Sequence, residues 1–83
     1  MPSNARLVFT GRFQTLSFDA FVRDRAIRLD LDATIEELDA ARVAVSVTGQ
    51  AGLVDAFEMA CSLGPIDSLV LDVARVDSAP ARR

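Results

Sequence analysis

Two hydrophobic rhythms alternate along this chain, and the order in which they occur admits few folds. Phe18, Phe21, Val22, Ala26 and Leu29 recur at the spacing of one helix face, as do Leu53, Phe57, Ala60 and Cys61 further on. Between them Val43, Val45 and Val47 alternate with Ala44, Ser46 and Thr48, the period of a strand buried on one side. Leu31, Ala33 and Ile35 alternate in the same way with Asp32, Thr34 and Glu36. The β-prone run Ala5-Arg6-Leu7-Val8-Phe9-Thr10 precedes the first helix, and Ser68–Val76 follows the second. The order is strand, helix, strand, strand, helix, strand.

That order predicts an α+β domain, a ferredoxin-like βαββαβ sandwich with two helices on one face of a four-stranded antiparallel sheet. Residues 5–77 are expected to form it, with 78–83 as a disordered C-terminal tail. Gly11 to Ser17 reads as a polar connection, and Ser17 stands where the N-cap of a helix starting at Phe18 belongs. Asp24 and Arg28 are placed to pair one turn apart. Gly49 is expected to end the valine strand, and Gly64-Pro65 to end the second helix. One stretch is ambiguous: Thr34-Ile35-Glu36-Glu37-Leu38 has good helix formers, so a helix over Ala33–Arg42 competes with the strand.

Composition removes several functions. The 83 residues suit one domain. With no histidine there is no imidazole base and no His-based zinc site, and a single cysteine excludes an internal disulfide or a CxxC pair. Nine Lys/Arg against twelve Asp/Glu give a net charge of −3, which argues against binding nucleic acid. No apolar run approaches the roughly 20 residues of a membrane span, and Met1-Pro2-Ser3-Asn4 lacks the apolar stretch of a secretory signal. The expectations are a cytoplasmic domain with no cofactor, no metal and no membrane partner.

The spacing of these elements resembles the acylphosphatase family from Gly11 to about Asp77 without a gap. The family's first signature, roughly G-R-V-Q-G-V-G-F-R, falls on Gly11-Arg12-Phe13-Gln14-Thr15-Leu16-Ser17-Phe18-Asp19. Its second, G-W-V-R-N, falls on Ala33-Thr34-Ile35-Glu36-Glu37, and its helix-ending Gly-Pro falls on Gly64-Pro65. The resemblance favours strand over helix at Ala33–Ile35. It implies hydrolysis of carboxyl-phosphate anhydrides, with loop amides and an arginine binding phosphate and an asparagine positioning water.

The resemblance also places Asp19 at the arginine position and Glu37 at the asparagine position, with Thr15 and Ser17 at two loop glycines. Two carboxylates in a site for a dianion oppose its charge. At ~4 Å and an effective dielectric of ~20, each like-charge contact costs about 4 kcal/mol. The expectation is therefore a degenerate phosphate loop, Arg12 to Asp19, on a domain that has lost hydrolysis and acts by binding a small ligand or a protein.

Two alternatives stand beside it. In one, an active acylphosphatase has a diverged loop, with Arg12 supplying the cation. In the other, the domain is a homo-oligomerising interaction module that pairs through an edge strand over Leu69–Val76. Simpler roles are open to the individual residues. Asp19 can pair with Arg23, Arg23, Arg25 and Arg28 can form a charged helix exterior, and Cys61 can be a small core residue. If Asp19 and Glu37 face one cavity, they form a candidate cation site, though two oxygen ligands alone select metals poorly.

Overall fold

The computed structural model describes residues 2–78, in which six elements follow in order. They are β1 (Pro2–Arg12), α1 (Thr15–Arg28), β2 (Asp32–Leu38), β3 (Arg42–Gln50), α2 (Ala51–Leu63) and β4 (Leu69–Ser78). The strands form one sheet in the order β2-β3-β1-β4, with every neighbouring pair antiparallel. Both helices cover one face, α1 over β2 and α2 over β1, β3 and β4. This is the ferredoxin-like sandwich that the alternating rhythms predict. Ser78 closes β4, and the rest of the expected tail lies outside the described residues.

Alternation decides which side chains reach the core. Leu7 and Phe9 of β1 and Val43, Val45 and Val47 of β3 are buried under the helices. From above they meet Phe18, Val22 and Ala26 of α1 and Val54, Phe57 and Cys61 of α2. Val54 belongs to this core although the sequence pattern did not single it out; Leu53 and Ala60 flank it, half-buried. Phe18 meets Phe9 and Phe13 edge-on, at centroid distances of 5.7 and 4.7 Å. Burial of such a ring stabilises the fold by about 1.5–3 kcal/mol.

The second strand is settled as β2, which keeps Ala33 and Ile35 on the inner side, continuing from buried Leu31 just before it. A bulge at Glu36 then lets Glu37 and Leu38 resume pairing with Ala44 and Val43. The tight turn after α1 uses Asp30 at φ 56°, a left-handed conformation that aspartate tolerates better than most residues. Gly64 ends α2 at φ 67°, ψ 174°, a region essentially reserved for glycine.

Several boundaries differ from the sequence reading, among them β1, which starts at Pro2 instead of Ala5, and β4, which runs over Leu69–Ser78 instead of Ser68–Val76. β1 extends through Arg12, because Arg12 still pairs with Leu69 after a second bulge at Leu71. β3 runs on through Gly49 to Gln50, since both residues pair with β1. The connection before α1 shrinks to Phe13 and Gln14, and the helix starts at Thr15 instead of Phe18.

Candidate functional site

The start of α1 lies beside two loops that are remote in sequence. Gly11 and Phe13 donate their amides to Ala41 and Ala40 of the β2–β3 turn, at 3.1 and 2.8 Å. The Gln14 amide donates to the Ser68 hydroxyl at 3.4 Å, and the Gln14 carbonyl accepts from Phe18 at 2.9 Å, closing the first turn of α1. Gln14 is the N-cap and offers no side-chain cap. Ser17 therefore does not cap the helix. Its hydroxyl points sideways and donates to Asp67 Oδ1 at 2.9 Å. The physical reason is that Thr15 and Ser17 carry a Cβ and take ordinary helical dihedrals, so winding begins as soon as Gln14 allows it.

These contacts border an open surface cavity of about 550 Å³ lined by Gly11–Gln14, Ala40, Ala41 and Asp67. Arg12 and Asp67 are its two charged residues. Asp67 was not legible from the sequence. It stands beside α1 only because the β1–β4 register puts Leu69 opposite Arg12 and so brings the preceding turn next to Gln14. Its carboxylate lies near the positive end of the α1 dipole, where negative charge is favoured.

The remaining residues of the expected loop divide between core and surface. Phe13 and Phe18 are buried, whereas Leu16 projects into solvent at 85% exposure. Thr15 to Phe18 form the first turn of α1. Asp19 follows in the helix and accepts from Arg23 Nε at 3.0 Å. Glu37 stands just past the β2 bulge and pairs with Arg42 at 3.2 Å. Neither carboxylate lines the cavity, and each has its own arginine.

Most of the nearby charges have partners of their own, although the buried Arg25 Nε has no hydrogen-bond partner among the described residues. Asp24 pairs with Arg28 at 2.8 Å as the spacing predicts. Arg25 departs from the charged exterior, lying 5.1 Å from the centroid of the Phe21 ring. Glu36 accepts from Ser46 Oγ at 2.7 Å and Arg6 Nε at 2.8 Å. Those two bonds, Ser46 first, hold its carboxyl below the usual 4.5. Cys61 is fully buried among apolar neighbours, and burial pushes its thiol up to about 12, which leaves it unreactive at neutral pH.

The family model for acylphosphatase matches residues 5–82. Among solved structures, the chain is similar to the acylphosphatase of Bacillus subtilis, with 26% identity and a TM-score of 0.86 over 98% of this chain and 89% of that one. It is also similar in fold to an acylphosphatase of Coxiella burnetii, at 18% identity and TM-score 0.85 over 99% and 86% of the two chains. A third similarity in fold is to full-length HypF in its phosphate- and nucleotide-bound form. It has 16% identity and TM-score 0.82, and covers 94% of this chain but 10% of that one. No curated protein matches in sequence. Among the described residues, no helix is long and apolar enough to cross a membrane.

Proposed function

The chain belongs to the acylphosphatase family, and from that premise we propose that this member has lost acyl-phosphate hydrolysis and acts by binding a small ligand or a protein in the cytoplasm. The observation that carries this reading is the start of α1 at Thr15. Residues at the positions of the family's phosphate loop are wound into a helical turn, and the amides of Gly11, Phe13, Gln14 and Phe18 are bonded to protein oxygens. Amides already engaged cannot turn toward a phosphate without breaking those bonds, at about 0.5–1.5 kcal/mol each, and the open first-turn amides of Thr15 to Ser17 have the Asp67 carboxylate bonded beside them. Asp19 and Glu37, at the positions of the family's arginine and asparagine, supply negative charge and bind their own arginines.

One observation favours a second reading. Arg12 lines the cavity beside the α1 N-terminus and could supply the cation for a diverged but active site. Hydrolysis of benzoyl phosphate separates the two. Release at the rate of the buffer blank is the expected result. Turnover above the blank that disappears in Arg12→Ala would sink the proposal and establish the second reading.

A further inference from the structure

Among the described residues, the sheet order leaves β4 with a free edge, and that edge borders a groove of a particular chemistry. Leu69, Leu71 and Val76 on β4 are more than half exposed. On the helix side, α2 packs over β4, leaving a groove of about 420 Å³ lined by Asp55, Glu58, Met59, Ser62, Leu63 and Arg75. Met59 and Leu63 offer it large apolar side chains that are 69% and 79% exposed.

Arg75 is the centre of the groove's electrostatics. It registers opposite buried Leu7 and so points to the helix side of an edge strand. There its Nη1 donates to Asp55 at 2.8 Å and Glu58 at 2.7 Å, while its Nε donates to Asp77 at 2.8 Å. Three carboxylates around one guanidinium leave the groove negative. Asp55 and Asp77 are largely exposed and remain open to a further cation.

We propose that the free edge of β4 and the adjoining α2 groove dock an extended segment in which Arg or Lys alternates with apolar residues. Added as a fifth strand, such a segment satisfies the open backbone groups of β4 and sends every second side chain into the groove. The Arg or Lys side chains there lay their stems along Met59 and Leu63 and bring their charges to Asp55 and Asp77, while the apolar residues between them lie on the open face beside Val76, which registers opposite Arg6. A second copy of this chain fits poorly, because two such edges face acid to acid, and an inward-pointing charge on an edge strand opposes self-pairing. The groove shares no residue with the cavity at α1, so this inference stands or falls apart from the loss of hydrolysis.

The test is selection of random octapeptides on the immobilised full chain, followed by titration of the enriched peptide into the ¹⁵N-labelled protein. Enriched peptides should alternate Lys or Arg with Val, Ile or Leu. They should shift amides of Leu69–Asp77 and Asp55–Leu63, and bind Asp55→Lys about tenfold more weakly. Methylating alternate peptide nitrogens on the edge-facing side should abolish binding. Three outcomes overturn the proposal: no enrichment, enriched peptides lacking basic residues, or equal binding to Asp55→Lys. Self-association through β4 in sedimentation equilibrium overturns it in favour of a second copy. Binding that tightens tenfold in an Arg82→Ala, Arg83→Ala double variant overturns it in favour of the chain's own terminal arginines.

Discussion

Ser17 and Asp67, 50 residues apart in sequence, are joined by a hydrogen bond of 2.9 Å that ties the first turn of α1 to the turn preceding β4. The bond brings a fixed carboxylate to the helix end where an anion would otherwise be attracted. It couples two features of the domain, the early start of α1 and the register of β4 on β1.

Separate substitutions should resolve the bond from the charge. Ser17→Ala loses the hydrogen bond and is expected to cost about 0.5–1 kcal/mol in urea unfolding. Asp67→Asn keeps an acceptor and removes the charge, so its stability should fall by only a few tenths of a kcal/mol. Inorganic phosphate, followed through the amides of Thr15 to Ser17, should bind more tightly to Asp67→Asn than to the parent. Equal affinity would show that Asp67 does not guard the helix end.

Reopening the loop requires several changes together. Thr15→Gly and Ser17→Gly each weaken the first turn of α1 by up to about 1 kcal/mol, while Asp19→Arg and Glu37→Asn reverse the charge. The fourfold variant is expected to hydrolyse benzoyl phosphate above the buffer blank, and Asp19→Arg alone is not. A fourfold variant that stays at the blank would mean that the loss extends beyond these positions.

Alkaline stability should depend on one side chain. All nine basic residues are arginine, and the chain has no lysine, tyrosine or histidine, so Cys61 is the only side chain titrating between the carboxylates and the guanidinium groups. Burial raises its thiol from 9.0 to about 12. Below pH 9 both folded and unfolded states keep the proton. Between pH 9 and 12 only the unfolded thiol ionises, so stability falls as pH rises, by at most about 4 kcal/mol. Urea midpoints measured from pH 8 to 12 should show this slope. Cys61→Ala should flatten it, at a cost of about 1 kcal/mol at neutral pH.

Two glycines should respond in opposite directions to alanine. A Cβ on Gly11 would collide with the Leu69 carbonyl oxygen, where β1 crosses closely beside β4. Gly11→Ala is therefore expected to cost several kcal/mol or to break the pairing beyond the Leu71 bulge. Gly52 lies in the first turn of α2 with nothing within 4 Å of an added Cβ, and Gly52→Ala should stabilise by about 0.5 kcal/mol. Thermal unfolding of the two variants side by side checks the pair.

What the sequence reveals about this fold follows from periodicity and short-range pairing. The valines of β3, the Phe18 face of α1, the Asp19–Arg23 and Asp24–Arg28 pairs and the burial of Cys61 all rest on spacings of two, three or four residues. The start of α1 was hidden because Thr15 and Ser17 favour turns and caps by type, while contacts from Ala40 and Ser68 fix the preceding residues and Asp67 holds Ser17 itself. Pairing of Glu37 with Arg42 depends on the bulge at Glu36, and the place of Asp67 on the bulge at Leu71. Each bulge changes the register by one residue, and no pattern of residue types marks it.

The central position of β1 also governs how the fold is reached. β1 is made first, yet its two neighbours are β3 and β4, and β4 is the last strand of the described chain. No local hairpin holds it. Leu7 and Phe9 must wait for partners from distant parts of the chain, so loop closure comes before any reward from pairing. Such a topology folds more slowly than a helical bundle of equal length. During that interval the apolar side chains of β1 are open to other molecules, and crowding or elevated temperature acts on the nascent chain before it acts on the finished domain.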